Sequence, residues 1–126
     1  MKKLKIAILT LSILLLSVTA FSFNEVKVLD WQPFAYENIT VTTAAVSQLS
    51  AAYIATTAVT GAIFLTVETN TIHYRIDGGD PTALLGHSIV ATAYQNLWLN
   101  NVAAIRNLRM IAVGGNALVK VTYYRR

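Results

Sequence analysis

The sequence predicts an all-β fold: an antiparallel β-sandwich, jelly-roll-like, of about seven strands. Three observations point there. Short runs rich in β-branched and aromatic residues recur at spacings of roughly 8–12 residues. Gly, Asn, Asp and Pro punctuate the gaps between them. No amphipathic helix of ordinary length interrupts the series.

The chain has 126 residues, enough for one domain. It opens with Lys2, Lys3 and Lys5, followed by an apolar run from Ile6 to Ala20 and then small residues around Ala20 and Ser22. This is the layout of a secretory signal peptide over 1–22. The run of about 15 residues is short of the roughly 20 that span a bilayer, so membrane association is expected only if the leader stays uncleaved. Residues 23–36, with Val26, Val28, Trp31 and Pro33, read as an N-terminal arm, and 37–126 as the sandwich domain.

The formal net charge is +4, and the leader carries three of the ten positive charges. Seven positive charges against six negative remain, which gives no case for nucleic-acid binding. The chain has no Cys, so no disulfide framework supports an exported domain of this size. Core burial, sheet hydrogen bonds or assembly with further copies must do so instead.

Ile39-Thr40-Val41-Thr42 alternates with period two and predicts a strand. The Ala- and Thr-rich stretch that follows is read as strand plus loop, since Ala favours helix while Thr, Val and Ile favour strand. "AIFLTVET" and "TIHYRID" predict two strands joined by a tight hairpin at Thr69-Asn70. In the second, Ile72, Tyr74 and Ile76 share one face, with Thr71, His73, Arg75 and Asp77 on the other. "SIVATAYQNLWLNN" holds one or two strands, and "NNVAAIRN" is suited to a single helical turn. "LRMIAV" and "ALVKVTYY" flank Gly114-Gly115-Asn116, a hairpin signal.

"TIHYRIDGGDPTALLGH" concentrates the polar chemistry of the chain. His73 with distant carboxylates lacks a metal-ligand spacing, and there is no Cys nucleophile, G-x-S-x-G elbow or phosphate loop. Asp77 and Asp80 around Gly78-Gly79 supply two carboxylates where calcium needs six or more oxygens. A shaped turn explains them better: Asp and Gly provide the special backbone geometry and Pro81 fixes φ at the exit. No catalytic residue, metal site or cofactor is expected. Trp31, Tyr36, Tyr53, Tyr74, Tyr94, Trp98, Tyr123 and Tyr124 could line a sugar-binding surface, but aromatics in a β-sandwich read first as core and strand residues. The candidate interaction surface is His73, Arg75 and Trp98, with Trp98→Ala the change that would test sugar binding.

The signature Tyr74, Arg75, Asp77, Gly78, Pro81, Thr82, Gly86 and His87 carries a resemblance. With Val67, Glu68, Thr69, Ile72 and Ala83 before or among these positions, and Val121, Thr122, Tyr123 and Tyr124 after them, it resembles a family of small tailed-phage and prophage virion proteins. The resemblance implies a β-sandwich that works by assembly: a virion structural or decoration protein whose partners are further copies of itself or other virion or surface proteins. The leader is a departure from that family and implies an exported relative, periplasmic, secreted or on the cell surface. A weaker resemblance, through Ile72, Tyr74, Asp77, Gly78, Pro81 and Thr82, is to the Ig-like C-terminal modules of chitobiase-type enzymes. It implies the alternative function, a secreted carbohydrate-binding accessory module.

Overall fold

The computed structural model describes residues 30–55 and 59–126. The expected leader and residues 23–29 of the expected arm lie outside the described residues. Seven strands form two antiparallel sheets, as the sequence predicts. They are β1 (Gln32–Val41), β2 (Ala62–Val67), β3 (Thr71–Arg75), β4 (His87–Val90), β5 (Asn96–Leu99), β6 (Arg109–Val113) and β7 (Ala117–Arg125). One sheet has the order β1-β7-β2-β5, the other β4-β3-β6. Two short helices, α1 (Ala51–Ile54) and α2 (Val102–Arg106), lie in the connections.

Alternation builds the core. Along β7, Ala117, Val119, Val121 and Tyr123 are buried and the residues between them are not. Ile63, Leu65 and Val67 of β2 lie on the same inner face, and Ile72, Ile89, Met110 and Ala112 face them from the other sheet. Leu49, Ile105 and Leu108 complete the cluster from the connections. Each of the larger aliphatic side chains among them stabilises by about 1.5–3 kcal/mol on full burial. Asn101 starts α2 by accepting from Ala103 N at 2.9 Å and Ala104 N at 3.1 Å, which satisfies two otherwise orphaned donors. The single helical turn expected here is present.

Three expectations are corrected. Thr69-Asn70 is no hairpin: β2 and β3 belong to different sheets, so the turn is an arch that carries the chain across the sandwich. Gly114-Gly115-Asn116 is a second arch, between β6 and β7. The two arches are bonded to each other, with Asn70 Nδ2 donating to the Asn116 carbonyl at 2.6 Å and Leu118 N to Thr69 Oγ1 at 2.9 Å. Asn70 has φ +58° and Gly114 φ +79°, left-handed conformations that suit Asn and Gly. Third, residues 32–36 of the expected arm are the first half of β1, paired with β7 at every position but Phe34. Pro33 is tolerated because β1 is an edge strand, and the register shifts between Pro33 and Ala35.

The edges differ. The bulge of β1 and its inward-pointing Glu37 are devices that discourage edge-to-edge pairing. The edge of β6 is covered: Ser47 and Met110 exchange backbone bonds of 2.7 and 2.9 Å, and Ala112 N donates to the Thr42 carbonyl at 3.0 Å. The Ala-rich stretch therefore serves in part as cover for β6, and among its described residues Ala51–Ile54 are helical. No further strand lies beside β5 among the described residues.

Candidate functional site

The signature stretch forms one strand and a loop folded back onto it. Ile72 is fully buried and Tyr74 half-buried on the inner side of β3, while His73 lies on the outer side beside Ile111 of β6 and Ser88 of β4. The strand ends at Arg75, and Ile76, expected to share the buried face, is 37% exposed. Arg75 grips Asp77 through both oxygens, Nε to Oδ1 at 3.0 Å and Nη2 to Oδ2 at 2.5 Å. Gly79 N adds a third bond to Oδ1 at 3.1 Å. The Arg75 guanidinium, then the Gly79 amide, hold the Asp77 carboxyl down at about 2. The same contact raises the pKa of Arg75.

These bonds also settle a conflict of charge. Arg75 stands directly opposite Arg109 in the ladder, an unfavourable like-charge pair. Asp77 neutralises one member. Gly78 takes the turn at φ +84°, and Gly79 leaves room for the guanidinium, since a Cβ there would fall 2.6 Å from Arg75 Cζ. Beyond it Pro81 is buried, and the Thr82 carbonyl accepts from His73 Nδ1 at 3.0 Å. A carbonyl only accepts, so His73 carries its proton on Nδ1. Thr82 and Leu85 then exchange backbone bonds, with Leu84 at the tip 97% exposed. Gly86, at φ +132°, returns the chain so closely that a Cβ would meet the Tyr74 carbonyl oxygen at 3.0 Å. His87 pairs with Tyr74, their rings 5.4 Å apart, and so faces away from His73. A shallow cleft of about 430 Å³ lies between Arg75, Asp77, Leu85 and His87.

The signature residues are thus brought together, but mostly to hold one another. Trp98 is elsewhere. It projects from the outer side of β5, on the sheet opposite the one that carries His73 and Arg75, so the three do not form one surface. Around it lies an aromatic cluster drawn from three of the eight sugar-surface aromatics, Trp31, Trp98 and Tyr124, together with Phe64, which the sequence did not place with them. Trp98 meets Trp31 at 6.1 Å, Phe64 at 6.5 Å and Tyr124 at 5.1 Å between ring centroids. Arg126 stacks over Trp31 at 4.6 Å, and Trp31 packs on Gly61, where a Cβ would lie 2.8 Å from its ring. Register explains the grouping: Phe64 pairs with both Trp98 and Thr122, and Tyr124 pairs with Ala62 beside it.

Inside the same sheet, Tyr123 is fully buried, and its hydroxyl donates to Glu37 Oε2, which also accepts from Ser50 N at 3.3 Å. Burial, then the Glu37 contact, pushes the phenol's pKa up. The Tyr123 ring lies 4.6 Å from Tyr53 of α1, so the pair ties β1, β7 and the α1 segment together. Among the described residues, no group of three or more His, Asp or Glu side chains is placed to hold a metal ion.

No family model, no curated protein and no solved structure matches this chain.

Proposed function

We propose that this chain is a non-enzymatic, exported structural module that works by self-association, in the manner of a phage virion structural or decoration protein. The observation that carries the reading is the aromatic cluster on the outer face of the four-stranded sheet. Trp98 is 41% exposed within it and lies on β5, whose outer edge has no partner strand among the described residues. An aromatic group rimmed by Arg126 has the make-up of a protein contact, where Trp, Tyr and Arg dominate. Further large apolar side chains stand exposed, among them Leu84, Leu85 and Tyr36.

The rival reading, a carbohydrate-binding accessory module with Trp98 as its platform, has less support from this geometry. The rings around Trp98 stand 79°, 47° and 62° out of plane with it, so they offer no flat stacking surface. Light scattering on the chain from residue 23 onward tests the assembly reading. A defined oligomer is expected at micromolar concentration, and a monomer that persists to millimolar concentration would remove it.

A further inference from the structure

Tyr94 is built at a cost that the fold does not require. It follows the 3₁₀ turn Ala91–Ala93, and its N–H closes that turn on the Ala91 carbonyl at 3.3 Å. Its backbone is left-handed, φ +52° and ψ +30°, a conformation that Gly or Asn adopts readily and a bulky residue does not. Its side chain is 93% exposed, so no packing compensates the strain. Strain kept at a position where a smaller residue would serve points to a use for the side chain.

The surroundings give that use a chemistry. Tyr94 lines a cleft of about 280 Å³ with Thr66, Glu68, Gln95 and Asn96. Gln95 is fixed by accepting from Val90 N through Oε1 at 3.1 Å, which leaves its Nε2 to donate. Glu68 is held by Thr66 Oγ1 at 3.2 Å and by Lys120 Nζ at 3.3 Å. Because Lys120 offsets its charge, the cleft does not select a cation, and hydroxyl donors suit its remaining lone pairs. A projecting aromatic face beside amides and a held carboxylate matches a ring that has an apolar C–H face and a rim of hydroxyls.

We propose that the cleft under Tyr94 binds one neutral hexopyranose unit, with Tyr94 stacking on the ring and Asn96, Gln95 and Glu68 bonding its hydroxyls. The proposal does not rest on self-association and differs from a Trp98 platform in place and in residues. The test is a proton NMR titration of the exported chain with the methyl glycosides of glucose, galactose, mannose and N-acetylglucosamine at millimolar concentration. At least one is expected to shift the Tyr94 ring and Asn96 amide resonances. Tyr94→Gly should weaken that binding by about tenfold or more and leave the oligomeric state intact, with a melting temperature unchanged or raised because Gly relieves the left-handed strain. Asn96→Ala should also weaken binding, and Trp98→Ala should not. The proposal is overturned if none of the four sugars shifts these resonances, if binding survives Tyr94→Gly, or if Tyr94→Gly lowers the melting temperature.

Discussion

On the three-stranded sheet, the outward side chains of β3 are engaged within the chain: His73 by the Thr82 carbonyl, Arg75 by Asp77. On the four-stranded sheet, the outward residues include Phe64, Trp98 and Tyr124, gathered in a cluster that stays open to solvent at Trp98. The face rich in motifs is therefore occupied with shaping its own loop. The four-stranded face keeps a contiguous aromatic cluster open to solvent at Trp98, while on the other side the apolar exposure falls at the loop, at Leu84 and Leu85. Density of polar residues in a sequence marks where the backbone needs help as readily as where a ligand binds, and only the partners of each group separate the two cases.

That contrast can be broken at several points. The largest effect is expected from Gly86→Val, which forces a β-branched side chain into φ +132° and against the Tyr74 carbonyl. It should cost about 3 kcal/mol in urea unfolding, at the upper end of what backbone strain costs. A loss under about 0.5 kcal/mol, the usual range for a plain surface site, would mean that the loop does not close on β3.

Next is Tyr123→Phe, which leaves Glu37 without its phenol donor and should cost about 1–3 kcal/mol. The wild type gives a matching pH effect. A phenol whose pKa is raised by folding contributes stability that is complete below its unfolded value of about 10 and lost as pH rises above it. Alkaline unfolding should therefore steepen above that point, and Tyr123→Phe should flatten it.

The smallest effect belongs to the exposed Arg75–Asp77 pair. Its depressed carboxyl contributes stability present above the unfolded value of 3.8 and lost as pH falls through about 2. Protection of the Gly79 amide from exchange, taken relative to its intrinsic rate at each pH, should fall across that window. Asp77→Asn should abolish the dependence with little change in melting temperature, as expected of a solvated ion pair.

The sequence made much of this legible. Period-two alternation placed Ile72 and Tyr74 inward and His73 outward, and Asp77, Gly78 and Pro81 were readable as a shaped turn. It also carried the strands of β6 and β7. What it could not carry is which sheet a strand joins. Gly114-Gly115-Asn116 serves a hairpin or an arch equally well, because the local backbone requirement is the same and the choice lies in the pairing partners. Pro33 suggested a break at a place where an edge strand simply dispenses with one donor. The aromatic cluster arises from the register of β2 against β5 and β7 and from Trp31 folding over Gly61, neither of which is local. Tyr94 is legible in the sequence only as one of eight aromatics that could line a sugar surface, since nothing in "TAYQN" announces a left-handed backbone.

The assembly account stands most directly on sedimentation of two variants beside the wild type. Trp98→Asp places a charge in the aromatic cluster, while Ser88→Asp places one on the outer face of the three-stranded sheet, beside His73. The account predicts that Trp98→Asp shifts the chain to monomer with its fold retained, and that Ser88→Asp leaves the oligomer as it was. A wild-type monomer, or an oligomer indifferent to Trp98→Asp, would contradict it.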